Sequence, residues 1–154
     1  MLLTQRVILM AAIAIGALQL AVSAQMAAQS CENSTVDTQG EQTAKVSRAF
    51  LAELQAAVRA NDKQKIAGMI SYPLNVNHGT NRTRVRSKDA LLAQYDAIFT
   101  VQIRKDILAQ SSKCLFGNDN GAMVGNGDLW FSEINNGPVK IYAVNVNTPA
   151  GTSH

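Results

Sequence analysis

The apolar residues of this chain change their spacing along its length, and the order of the two spacings decides the fold class. Val46, Phe50, Leu51, Leu54 and Val58 recur at helical intervals, with Lys45, Arg48, Glu53 and Arg59 on other faces, which is the pattern of an amphipathic helix. From residue 114 onward the chain breaks into short strand-like runs, residues 114–116, 122–124, 129–132 and 139–147, separated by Gly- and Asn-rich turns. Helices first and a meander of strands last make an α+β order, not a repeating βαβ order.

Residues 1–24 are set apart from that pattern and read as an export signal. Arg6 supplies the positive start, residues 7–22 are apolar apart from Gly16 and Gln19, and Val22-Ser23-Ala24 places cleavage before Gln25. The run is shorter than the roughly 20 apolar residues a membrane span needs. The expected location is therefore periplasmic or secreted. The remainder is long enough for one domain, and with 47% hydrophobic residues overall the chain can bury a core. A net charge of +3 is mild for a nucleic-acid binder.

Within the mature chain, residues 25–42 are polar without a period and read as a flexible lead, and residues 148–154 as a frayed tail. The domain is expected over residues 43–147. Asp62 is an N-cap for a short second helix carrying Ile66, Met69 and Ile70, ended by Tyr72-Pro73 because the residue before a proline avoids the helical region. Residues 73–77 and 82–86 suggest a hairpin about His78-Gly79-Thr80-Asn81. Ser87 caps a helix that turns Leu91, Leu92, Tyr95, Ile98 and Phe99 inward, and Val101, Ile103, Ile107 and Leu108 continue in another short helix.

This order, with Met69-Ile70-Ser71-Tyr72-Pro73-Leu74, then Tyr95-Asp96-Ala97-Ile98-Phe99, then residues 121–131 ending in Asp128-Leu129-Trp130-Phe131, resembles the nuclear transport factor 2-like superfamily. That cone-shaped fold is shared with ketosteroid isomerase and SnoaL-like proteins. The resemblance covers residues 43–147 and implies a curved antiparallel sheet wrapped around N-terminal helices, of cystatin-like type. Enzymes of the superfamily use acids, histidines or tyrosines projecting into the cone. The resemblance thus makes Tyr72, Tyr95, Asp96, Trp130 and Tyr142 candidate cavity-lining residues, with His78 and Asp128 beside them. Trp130 is expected to face the helices or the cone interior. Tyr95 and Asp96, neighbours on a helix, point about 100° apart, and Asp128 sits in a turn where a carboxylate satisfies its own backbone. No catalytic residue is assigned.

Arg82, Arg84 and Arg86 alternate along one expected strand face, followed by Lys88. The ladder reads either as an anion-binding surface or as a solvated edge that discourages strand pairing. It has no interleaved aromatics, so nucleic acid is not expected. Cys31 and Cys114 are the two cysteines of the mature chain, and an oxidising compartment favours a disulfide between them. Separate thiols and a lipidated Cys31 remain open. No cofactor or metal is expected: Gly121, Gly125 and Gly127 precede a strand and not a helix, and the carboxylates lack calcium-loop spacing. The expected function is an exported, non-catalytic module binding a small ligand or a protein, with a homodimer allowed and no membrane partner once the signal is removed. The alternatives are an isomerase- or dehydratase-like enzyme using the cone cavity, and an inhibitor or immunity-like protein.

Overall fold

In the computed structural model, which describes residues 35–146, the amphipathic stretch is a helix, α1 (Glu41–Arg59), burying Ala44, Ser47, Phe50, Leu51, Leu54, Ala57 and Val58 along one side. Asn61 turns the chain with a φ of 50°, and the Asp62 carboxylate accepts from the Lys65 N–H at 2.9 Å to cap α2 (Lys63–Gly68). Two strands follow, β1 (Ile70–His78) and β2 (Asn81–Val85). Ser87 then caps α3 (Lys88–Ala93), and the helix breaks at Gln94 before α4 (Tyr95–Ile98). Thr100 caps α5 (Val101–Ala109). A 3-10 turn over Ser112–Cys114 leads into β3 (Phe116–Asn118), β4 (Gly121–Val124), β5 (Leu129–Glu133) and β6 (Val139–Asn145).

The strands form one six-stranded sheet in the order β2-β1-β6-β5-β4-β3. It is mixed, which corrects the expectation of an antiparallel sheet: β1 runs parallel to β6, and every other pair is antiparallel. A hairpin fills one edge of β1. The other edge is met by β6, which comes only after β2, the helices α3–α5 and the strands β3–β5, a long connection of the kind parallel pairing requires. Helices cover one face of the sheet. Leu74, Val76, Leu129, Phe131, Ile141 and Val144 are buried beneath them, and the Phe50 and Phe131 rings meet at 4.9 Å. Gln55 of α1 reaches the Ile107 and Gln110 carbonyls at 2.9 Å each, so one side chain satisfies the open end of α5.

Four local expectations are corrected. The second helix ends at Gly68, and Tyr72-Pro73 lies inside β1, where the pairing with β6 shifts register between Ile70 and Asn75; a proline has no N–H for the ladder. The strand expected at residues 114–116 starts at Phe116, after the 3-10 turn that holds Cys114. β2 ends at Val85, so Arg86 follows the strand instead of extending its face. The supposed lead is packed from Thr35 on: Val36 is 1% exposed in a 3-10 turn over Val36–Gln39, its N–H donates to the Leu115 carbonyl, and Thr35 Oγ donates to the Gly117 carbonyl. A side chain at Gly117 would meet the Val36 Cα at 3.0 Å, so the strap lies directly against β3. The expected export signal at residues 1–24, the Gln25 cleavage site, Cys31 and the tail at residues 148–154 lie outside the described residues.

Candidate functional site on the open face of the sheet

Side chains alternate across a strand, so the residues between the buried ones share the face turned away from the helices. Register places them side by side: Arg82 opposite Asn77 and Arg84 opposite Asn75, Asn77 opposite Asn145, Ala143 opposite Trp130, and Trp130 opposite Met123. Trp130 therefore does not face the helices, the first of the two placements expected for it. Leu129 and Phe131 take the core on either side of it, pairing with Val144 and Ile141.

On this face Asn77, Asn120, Trp130, Tyr142, Ala143 and Asn145 line a shallow depression of about 220 Å³. Its polar groups are tied into a chain. Arg82 Nε donates to Asn77 Oδ1 at 3.1 Å, Asn77 Nδ2 to Asn145 Oδ1 at 2.6 Å, and Asn145 Nδ2 to the Gly127 carbonyl at 2.5 Å. The Tyr142 hydroxyl donates to the Asn120 carbonyl at 3.0 Å, and burial raises its pKa. Phe116 meets Trp130 edge to face at 6.3 Å and steadies the indole. Each amide carries two N–H groups and an oxygen with two lone pairs. The contacts above leave donor and acceptor capacity on Asn77 and Asn145 in fixed orientation, and the exposed Asn120 adds a third amide at the edge.

The other candidates lie elsewhere. Tyr95 is 2% exposed and stacks on Phe99 at 5.0 Å with Lys63 over its ring. Its hydroxyl has no hydrogen-bond partner among the described residues. Asp96 is exposed and paired with Lys63 at 2.8 Å and Arg104 at 3.0 Å; the Lys63 hydrogen bond leads in holding its carboxyl below the usual range. Tyr72 donates to the Ala67 carbonyl at 3.0 Å, and burial, with Asp89 nearby, raises its pKa. His78 is exposed at the end of β1. Arg82, Arg84 and Arg86 are exposed, the first two beside the depression. Of the candidate cavity-lining residues, the structure unites Trp130 with Tyr142 and scatters the rest. It adds three asparagines that sequence reasoning passed over. Asparagine is depleted in strands, so Asn77 and Asn145 within strand runs were the available signal, whereas Asn120 sits in the β3–β4 turn, where asparagine is ordinary.

A second depression, of about 190 Å³, lies between the start of α1 and the β3–β4 turn, with Thr43, Ser47, Asp119 and Glu133 in its lining. Among the described residues no three His, Cys, Asp or Glu side chains come together. No helix among the described residues is long and apolar enough to cross a membrane. No family model, curated protein or solved structure matches the chain.

Proposed function

We propose that this chain is an exported, non-catalytic binding module of nuclear transport factor 2-like type, whose ligand seats on the open face of the sheet. The observation that carries the reading is the gathering of Trp130, Tyr142, Asn77 and Asn145 around one depression with their polar groups already oriented. Two features support it. The space between helices and sheet is filled by side chains such as Leu51, Leu54 and Phe131, each fully buried. The titratable candidates Tyr95 and Asp96 are held in the core and in surface ion pairs, without a shared reacting position. The element order of helices, hairpin, helices and meander supports the fold assignment.

Trp130 is the single tryptophan of the chain, so its emission and indole resonance report on the face directly. On adding a mixed pool of small metabolites, the expected result is a saturable change at Trp130 and at the Asn77, Asn120 and Asn145 amides, with the mass spectrum of the pool unchanged. Turnover of a pool component would instead establish the enzyme alternative, and shifts confined to the second depression would move the site. A second copy of the chain on this face would show as a dimer in sedimentation. N-terminal sequencing of protein from an exporting host should start at Gln25, and an intact Met1 would refute the export reading.

A further inference from the structure

Resting on the open-face reading, the geometry points to a sugar subsite in the depression, with Arg82 at its rim selecting sugars that carry a carboxylate. The lining has three amides and two aromatic rings and no charged side chain. An amide presents a donor and an acceptor side by side, which matches adjacent sugar hydroxyls, each able to give and to take a hydrogen bond. Trp130 and Tyr142 supply rings with an apolar body and a polar tip, suited to the C–H face of a pyranose. A hydrocarbon or apolar peptide side chain would strip water from the amides without replacing its hydrogen bonds.

Size agrees with this class. Drug-sized ligands take pockets of about 300–1,000 Å³, so a shallow depression of about 220 Å³ suits a single ring. The charge on the page lies to one side. Arg82 spends its Nε on Asn77, which leaves the terminal nitrogens of its planar fork for a carboxylate, and Arg84 stands two residues along the same strand face. Asn77 thus touches both the sugar seat and the guanidinium that would read the acid.

Glucose and glucuronic acid differ only at C6, hydroxymethyl against carboxylate, and so form the discriminating pair of probes. With the exported protein, glucuronic acid is expected to change Trp130 emission saturably, with glucose at least about fivefold weaker, in the roughly millimolar range of a one-ring ligand. Arg82→Gln, checked for an unchanged melting point, should bring the response to glucuronic acid down to that of glucose measured on the same variant. Equal response to both sugars, unchanged in Arg82→Gln, overturns the acid selectivity. Silence toward both sugars, with adenosine monophosphate or a peptide pool moving Trp130 instead, overturns the sugar subsite and leaves the open face as a binding surface. If every probe leaves Trp130 silent while shifting resonances elsewhere, both readings fall.

Discussion

Tyr95 packs a whole aromatic ring into the core and leaves its hydroxyl there without a partner among the described residues. The stacking on Phe99 is favourable, but an unsatisfied buried hydroxyl costs about 1–3 kcal/mol. Tyr95→Phe keeps the ring and removes the cost, so thermal unfolding should rise by about 4 °C, near 1 kcal/mol for a domain of this size. A fall of similar size would mean that an ordered water satisfies the hydroxyl. Burial, augmented by Asp96 and opposed by Arg104, pushes this phenol up to about 12. Its folded value lies above the ordinary value of about 10, so the unfolded chain loses the proton first as pH rises. The contribution of Tyr95 to stability is complete below about pH 10 and declines toward pH 12, and Tyr95→Phe should lack that part of the alkaline decline while keeping the part due to Tyr72 and Tyr142. The cysteines give a second residue-scale test. We propose the Cys31–Cys114 bridge, supported by the absence of any free cysteine among the described residues and by the anchoring of Thr35 and Val36 beside Cys114, at Gly117 and Leu115. Denatured, unreduced protein should then offer no thiol to an alkylating reagent, and two thiols per chain would refute the bridge.

Elements governed by local chemistry were legible in the sequence, and elements governed by distant pairing were not. Asp62 and Ser87 mark helix starts because a side-chain oxygen two or three residues before an orphan N–H is a local signal. Asn135 and Asn136 both take positive φ, and Gly137 N–H closes on the Ile134 carbonyl at 2.8 Å, as a tight hairpin turn demands. Ile66, Met69 and Ile70 fit one helix face, yet Ile70 belongs to β1 because it pairs with Ile141, far along the chain. The Leu129-Trp130-Phe131 run has no apolar-polar alternation to reveal its phase. Pairing with Val144 and Ile141 sets it, and with it the whole candidate site. Val36 escaped notice because a single apolar residue in a polar stretch has no period. Its burial predicts that Val36→Ala lowers unfolding free energy by about 1.5–2 kcal/mol, two methyl groups' worth of buried surface. An unchanged denaturation midpoint would mean that the strap carries no weight in folding.

At the scale of the whole molecule the sheet separates two jobs. The helix-covered face holds the fully buried Leu74, Leu129, Phe131, Ile141 and Val144, and the other face carries arginine, asparagine, tryptophan and tyrosine around the depression. Neighbouring residues of one strand should then respond to truncation in opposite ways. Phe131→Ala opens a hole against Phe50 and should cost about 3–5 kcal/mol, a large share of the roughly 5–15 kcal/mol that holds a domain together. Trp130→Ala removes the larger ring but only half-buried surface, and should cost about 1–2 kcal/mol while abolishing any response to ligands of the open face. The two denaturation curves, measured with sedimentation on the same samples, test the division directly. Equal and large losses, with the parent sedimenting as a dimer, would show that a second copy covers the open face. Equal and large losses in a monomer would show that Trp130 packs as core, and the binding surface would have to be sought elsewhere. A small loss at Trp130 beside a large one at Phe131 is the result expected of a fold that keeps its core on one side of the sheet and its chemistry on the other.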